Sequence, residues 1–302
     1  MFKPALIIIF NHKYDRNIDK LKKIYHERFS NILFLVPFYT GNDEKVIPVY
    51  ENSHQFQGYI AQGFRSFYKD DFTHYIFMGD DVYLNPNVNE NNFNEFMKIG
   101  ENDCFVPTLD GISAFNVHWI HRKAMLYNPA KEGVEIINEL PPVSQALEKF
   151  NRQGLTIKKL NFKQVYGKLH FNKFNSLLKS VSIYLKDILF QQKNYQLRYP
   201  LAGGYSDLLI VSKKHISSFV HLCGAFAASD LFVELAIPTA LVLVADNKII
   251  TEKDLQYKGL LLWTQKDMEQ LMPYQTDLKK LKEQFPANRL YIHPVKLSKW
   301  KM

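Results

Sequence analysis

The chain has 302 residues, 46% hydrophobic and 14% aromatic, enough apolar material for a full core and too much for a disordered chain. Its two cysteines, Cys104 and Cys223, lie outside any C-x-x-C pair, which speaks against a disulfide framework or a cysteine zinc site and fits a reducing, cytoplasmic compartment. The formal charge of +8 is uneven: residues 149–198 hold eleven Lys or Arg against Asp187 alone, which leaves −2 on the remainder.

ALIIIF (5–10) predicts a buried strand; it lacks the longer apolar region and small-residue cleavage site of a signal peptide. A helix follows around 17–28, then strands within NILFLVPFY (31–39) and KVIPVY (45–50). Phe56, Tyr59, Ile60, Gly63, Phe64 and Phe67 recur at helical spacing and predict a helix over 54–68, before a strand in HYIFMGDD (74–81). Strand alternating with helix predicts an α/β fold, a sheet covered on both faces. A helix is expected over 89–99 and a strand in CFVPTLDG (104–111). Residues 134–198 read as a mostly helical, basic insertion in a single domain spanning 1–302. YPLAGGYSDLLIVSKKHISSF (199–219) reads as loop, strand and helix, SDLFVELA (229–236) as a helix with Asp230 near its start, and TALVLVAD (239–246) as a late strand. KDMEQLMPYQTDLKKLKEQF (266–285) predicts one or two helices, and the chain closes on RLYIHPVKLSKWKM. No stretch approaches the ~18 uncharged apolar residues of a membrane span, so a soluble or peripheral protein is expected.

YIFMGDDVYLN (75–85) carries the chemistry, because its apolar strand ends in two adjacent carboxylates, Asp80 and Asp81. Like charges side by side repel unless a cation or proton intervenes, and Mg²⁺ or Mn²⁺ takes one or two carboxylates together with phosphate oxygens. A capped turn with one solvated aspartate is the plainer alternative. Open α/β sheets bind ligands at the carboxyl ends of their strands. The loop after the first strand places Phe10, Asn11 and His12 at such an end, and Asn52, Ser53 and Gln57 stand ahead of or within the next helix. Helix capping is one reading of Asn52 or Ser53. The paired glycines Gly203 and Gly204 allow close backbone approach by a sugar, with Tyr205 to stack on a ring and Asp207 to hold a hydroxyl; a tight turn would use them as well. Asp110 is a further candidate for the same cleft. No G-x-G-x-x-G and no P-loop occurs.

The run G-D-D-V-Y-L-N resembles the DxD region of nucleotide-sugar glycosyltransferases of the GT-A fold, closest in flavour to the D-D-D-V-F-V-N run of fringe-like galactosyltransferases, with Gly79 in place of the first acid. The resemblance implies a mixed Rossmann-like sheet flanked by helices. It implies Asp81 as ligand of a Mn²⁺ or Mg²⁺ ion bridging the donor diphosphate, and Asp80 beside it near the donor sugar. It also implies a nucleotide-sugar contact for Phe10, Asn11 and His12 and for Asn52, Ser53 and Gln57, in the second segment as an equal reading to capping. AFAASDLFVE (225–234) resembles the element that supplies the catalytic base in inverting members, with Asp230 at that position and Glu234 one turn on. A histidine after the last strand, here His293, would complete the metal site, and Lys296 could reach a phosphate. The implied reaction moves a sugar from a nucleotide-diphosphate sugar to a hydroxyl of a glycan or lipid-linked acceptor. The basic segment 149–198 would meet an anionic membrane surface or simply pack as a helical subdomain; a nucleic-acid partner is not expected. Two alternatives stay open: a sugar-phosphate nucleotidyltransferase, although FNHKYDRN (10–17) lacks the glycine-rich loop, and a non-catalytic glycan- or membrane-binding protein.

Overall fold

The computed structural model describes residues 2–115, 117–134, 136–167, 181–182, 184–185 and 195–302. The fold is mixed α/β. Its main sheet has five strands: β1 (Pro4–Ile9), β2 (Ile32–Pro37), β3 (Val46–Val49), β4 (His74–Gly79) and β8 (Leu208–Ser212), in spatial order β3-β2-β1-β4-β8. The first four are mutually parallel, and β8 closes the edge antiparallel to β4. This arrangement is compatible with a Rossmann-like fold. β1 is buried on both faces, which is why PALIII shows no polar alternation. Ala5, Ile7 and Ile9 join the core on one face, and Leu6, Ile8 and Phe10 join the core on the other.

The first face is covered by α2 (Gln57–Phe67), α7 (Lys213–Ala228) and α8 (Val233–Val244). The second is covered by α1 (Asn17–Tyr25) and by a small sheet of β5 (Tyr83–Leu84), β9 (Lys258–Leu261) and β10 (Arg289–His293), in the order β5-β10-β9. β5 follows β4 after three residues, so the chain leaves one sheet and enters the other across Asp80, Asp81 and Val82. A two-stranded ladder of β6 (Asp110–Gly111) and β7 (Ala202–Gly203) and the helices α4 (His118–Leu126), α5 (Val143–Arg152) and α6 (Phe162–Tyr166) complete the first side. No described helix is long and apolar enough to cross a membrane.

Three expected elements differ. TALVLVAD is not a strand: Thr239–Val244 is the second half of α8, whose residues are buried nearly all round. A helix surrounded by core needs no polar face, so its sequence has no 3.6-residue signature and mimics a buried strand. The helix expected over 89–99 shrinks to one turn, α3 (Phe93–Phe96), because asparagine side chains at 85, 89 and 92 bind local backbone amides instead. CFVPTLDG pairs only through a bridge at Phe105 and the two residues of β6. Within 134–198 the described helical residues are α5, α6, the turn Ile136–Glu139 and residues 181–182 and 184–185, whereas 154–160 are not helical. Lys168, Phe171, Lys173, Phe174, Leu178, Lys179, Lys186, Leu189 and Lys193 of the expected basic face lie outside the described residues.

The glycine pair is a packing device. A Cβ on Gly204 would stand 1.9 Å from the Thr108 carbonyl oxygen, and one on Gly203 would stand 2.7 Å from the Phe115 ring. Gly204→Ala must therefore push backbone against backbone, and a loss of about 3 kcal/mol or more in urea-unfolding stability is expected at unchanged m-value. A change under about 0.5 kcal/mol, the scale of an ordinary surface substitution, would contradict this packing.

Candidate functional site

Strand register assembles the site. Ile9 pairs with Gly79, and the Asp80 N–H continues the ladder by donating to the Ile9 carbonyl at 2.9 Å. Met78 pairs with Leu208, so the preceding residue, Asp207, stands opposite Gly79, whose N–H donates to the Asp207 carbonyl at 2.8 Å. In the small sheet Ile292 pairs with Tyr83, which delivers His293 to the turn at Asp81; the Val295 N–H closes the contact on the Asp81 carbonyl at 2.7 Å. Five strands from two sheets thus bring Asp80, Asp81, Asp207 and His293 to the carboxyl end of β4. The Gly204 N–H donates to the Glu234 carbonyl at 3.0 Å and ties the first turn of α8 to the same loop.

His293 Nε2 lies 3.2 Å from Asp81 Oδ1 and 3.9 Å from Asp207 Oδ2. The imidazole is buried, Asp207 nearly so, and Asp81 opens furthest to solvent, with its side chain 26% exposed. Asp81 Oδ1 is nevertheless a buried atom without a hydrogen bond, and so is His293 Nδ1. Burial pulls the His293 pKa down, but its contact with Asp81 and the charges of Asp81, Asp207 and Asp80 outweigh burial and raise it. Burial pushes Asp80 up to about 7, aided by repulsion from Asp81 and opposed by the Asn11 backbone and the Asn17 side chain. Asp207 is pushed up to about 6 by burial, which His293 partly offsets. Glu234 is pushed up to about 7, by burial first and the Asp207 charge second, with His293 again opposing. Four carboxyl groups therefore compete for one imidazolium. Positive charge brought to this point would relieve them.

A cleft of about 500 Å³ opens beside the cluster, lined by Asn11, His12, Ser53, Trp119, Lys123 and Asp207 among others. Lys123 Nζ stands 4.9 Å from the Phe232 ring centre and 6.0 Å from that of Trp119, an ammonium held against aromatic faces at the cleft wall. Sequence reading missed this wall. Its signal was the spacing of Trp119 and Lys123, four residues apart on α4 and hence on one face.

Only some of the residues expected from sequence meet in the site. Asp81, Asp207 and His293 converge, with Asp80 and Glu234 close enough to be shifted by their charges. Asn11 and His12 line the cleft as expected. Phe10 does not: its ring is buried against Phe34 in the core. Gln57 is also fully buried, and its amide donates to the Leu231 carbonyl, stapling α2 to the turn before α8. Asn52 is a cap, accepting the His54 N–H at 3.0 Å. Gly203 and Gly204 serve backbone packing, and Asp110 is engaged by Lys253 at 3.0 Å. Tyr205 is buried, its ring stacked on Tyr291 and 5.4 Å from His293.

Asp230 does not start a helix. α8 begins at Val233, so the acid in its first turn is Glu234. Asp230 sits in the connecting turn at φ 59° with its side chain 70% exposed, 3.7 Å from Lys131 and within hydrogen-bond reach of Gln55. The sequence SDLF places an acid where a cap would stand, but the left-handed turn at Asp230 delays the helix by three residues. Among the described residues no three His, Cys, Asp or Glu side chains form a ready-made metal cage. Two groups, Asp81 and His293, stand near enough to share one ion. No protein-family model matches the chain, and no curated protein matches it.

The raised carboxyl pKa values make the site a stability cost at neutral pH. A folded pKa above the unfolded one favours the protonated form, so the contribution is complete below about pH 4 and lost as pH rises through about 7. Asp80→Asn keeps the shape without the charge. In metal-free buffer this variant is expected to match the parent near pH 4 and to exceed it by a few kcal/mol at pH 8, since each tenfold rise in proton affinity on folding is worth ~1.4 kcal/mol. Equal or lower stability of the variant at pH 8, measured by urea unfolding, would contradict a buried, strained Asp80.

Proposed function

We propose that the chain is a metal-dependent glycosyltransferase of the GT-A type, using a nucleotide-diphosphate sugar as donor. The observation that carries this reading is the contact of Asp81 with His293, beside Asp207, at the carboxyl ends of parallel strands and next to an open cleft. Asp81 Oδ1 is a buried carboxylate oxygen in ion-pair contact with His293 Nε2 alone among the described side chains, the donor type that Mg²⁺ or Mn²⁺ prefers, and the two atoms lie close enough to share an ion. When bound, the ion would neutralise charge developing on the leaving diphosphate. With two side-chain ligands, the remaining positions fall to water and phosphate oxygens.

The residues of the chain then take separate roles. Asn11, His12 and Ser53 border the cleft where a nucleotide would lie, and Lys123 supplies a cation to the phosphates from the opposite wall. Asp80 is buried behind Asp81 and holds the loop after β1 through Asn11 and Asn17, so its role is to fix the site. The proton of the acceptor hydroxyl passes to Glu234 in preference to Asp230. Glu234 is half-buried, electrostatically coupled to Asp207 and His293, and titrates near 7, where a general base is most effective. Asp230 is exposed, beside Lys131, and outside the cluster. Attack of the acceptor oxygen on the anomeric carbon, with its proton passing to Glu234 and the bond to the diphosphate oxygen breaking on the opposite face, would correspond to inversion.

Calorimetry with nucleoside diphosphates, with and without Mn²⁺, tests the reading. Binding of at least one of them is expected only with the ion, and to be lost in Asp81→Ala and His293→Ala. Donor turnover in Glu234→Gln should fall by about 10²–10⁴ with nucleotide binding retained. Asp230→Asn should stay within about threefold of the parent. Nucleotide binding indifferent to Mn²⁺, or turnover lost in Asp230→Asn but kept in Glu234→Gln, would contradict the assignment.

A further inference from the structure

A second cleft lies on the other side of His293. Its volume is about 630 Å³, and its lining includes Trp263, Met268, Met272, Gln275, Lys296 and Lys299. Its lining also includes Pro294, the residue after His293. The Leu262 N–H donates to the His293 carbonyl at 2.8 Å, and the next residue, Trp263, brings its ring to 5.5 Å from that of His293 and 6.1 Å from that of Tyr205. The same imidazole thus faces Asp81 on one side and this aromatic group on the other.

Three features of the cleft point to a ligand. Trp263 is held edge-on by two rings yet remains 62% exposed, and Met272 nearby is 71% exposed; a fixed, uncovered indole is a platform for the apolar face of a sugar ring. Lys296 and Lys299 are exposed and have no carboxylate within ion-pair distance among the described residues. Beneath them the Lys20 ammonium donates to the Leu297 and Trp300 carbonyls at 2.8 and 2.7 Å and adds a third positive charge. Two acids of the surrounding segments are engaged in capping: Asp267 accepts from Thr264, and Asp277 accepts from the amides of Lys279 and Lys280. Finally, the rim carries two successive left-handed residues, Gln275 (φ 53°) and the β-branched Thr276 (φ 54°). The Lys301 N–H donates to the Thr276 carbonyl at 2.8 Å and holds that rim in place.

We propose that this cleft binds the acceptor, and that the acceptor is a saccharide carrying a carboxylate or phosphate group. The proposal rests on the transferase reading for the word acceptor, whereas the binding of an anionic sugar rests on the cleft alone. The sugar ring lies against the exposed face of Trp263, the residue whose ring also contacts His293. The anionic substituent reaches Lys296 and Lys299. A neutral glycan would use the indole without the lysines, and a purely apolar chain would use Met268 and Met272 without either preference.

Saturation-transfer NMR on the whole chain, without nucleotide or metal, separates these outcomes with two probes, methyl β-D-glucuronide and methyl β-D-glucoside. The glucuronide is expected to bind more tightly by about fivefold, the effect of one exposed ion pair. Trp263→Ala should abolish the signal of both probes, and the double variant Lys296→Ala/Lys299→Ala should bring the glucuronide down to the level of the glucoside. Because all three side chains are exposed, the folded state should survive, as an unchanged far-UV spectrum would verify. No glucuronide binding by the parent, equal binding in Trp263→Ala, or a charge preference that survives loss of both lysines would each overturn the proposal. Calorimetry of the same samples with UDP and Mn²⁺ keeps the two readings apart. Ion-dependent nucleotide binding retained in Trp263→Ala supports separate donor and acceptor clefts. Trp263-dependent glucuronide binding in a parent that binds no nucleotide would sustain the anionic-sugar site and remove the donor.

Discussion

Like charges meeting at one point are what the rest of this structure has to accommodate. β4 ends in two carboxylates, β8 begins one residue after a third, and α8 places a fourth in its first turn. One imidazole faces them. Burial and mutual repulsion raise three of the four carboxyl pKa values, so the fold holds a cluster that would be more stable without some of its charge. Such a cluster persists when the surrounding framework over-determines it. Here the framework is backbone: Asp80, Asp81 and Asp207 each contribute main-chain groups to sheet or inter-sheet hydrogen bonds.

The junction between the two sheets is the source of that rigidity. The small sheet returns β10 antiparallel to β5, and this alone carries His293, more than two hundred residues further along the chain, to the Asp81 turn. Around it Tyr205, Tyr291 and Trp263 form an aromatic group packed against the imidazole, with the Trp263 indole left exposed. The open side faces Asp81. A site built this way has its charges fixed before any ligand arrives, and a fixed cluster of carboxyl groups favours an arriving cation.

Much of this was legible from residues alone, for reasons that differ along the chain. The strands of the main sheet announce themselves as short β-rich runs, and the doublet after β4 is conspicuous because a buried strand ends in two acids. Asp81 and His293 followed from order along the chain. Phe10 and Gln57 did not: both stand where a ligand contact was expected, but the local pattern cannot tell an inward from an outward side chain at a strand end or helix start. Gly203 and Gly204 are sites of close approach in the fold itself, where the Thr108 backbone and the Phe115 ring leave no room for a Cβ. Asp230 misled because a left-handed turn postpones the helix, and α8 misled because complete burial erases periodicity. The Lys123 wall and the Trp263 platform arise from tertiary contacts between α4 and the turn before α8, and between the β9 end and β10, which no local window contains.

A divalent ion shared between Asp81 and His293 is the central requirement of the transferase reading. Pulsed electron paramagnetic resonance of Mn²⁺ added with UDP reads that bond directly, because a coordinating imidazole nitrogen modulates the electron-spin echo. A nitrogen modulation is expected in the parent chain and should disappear in His293→Ala while Mn²⁺ still binds weakly through Asp81. Bound Mn²⁺ with no nitrogen modulation in the parent, or a modulation unchanged in His293→Ala, would contradict the shared ion.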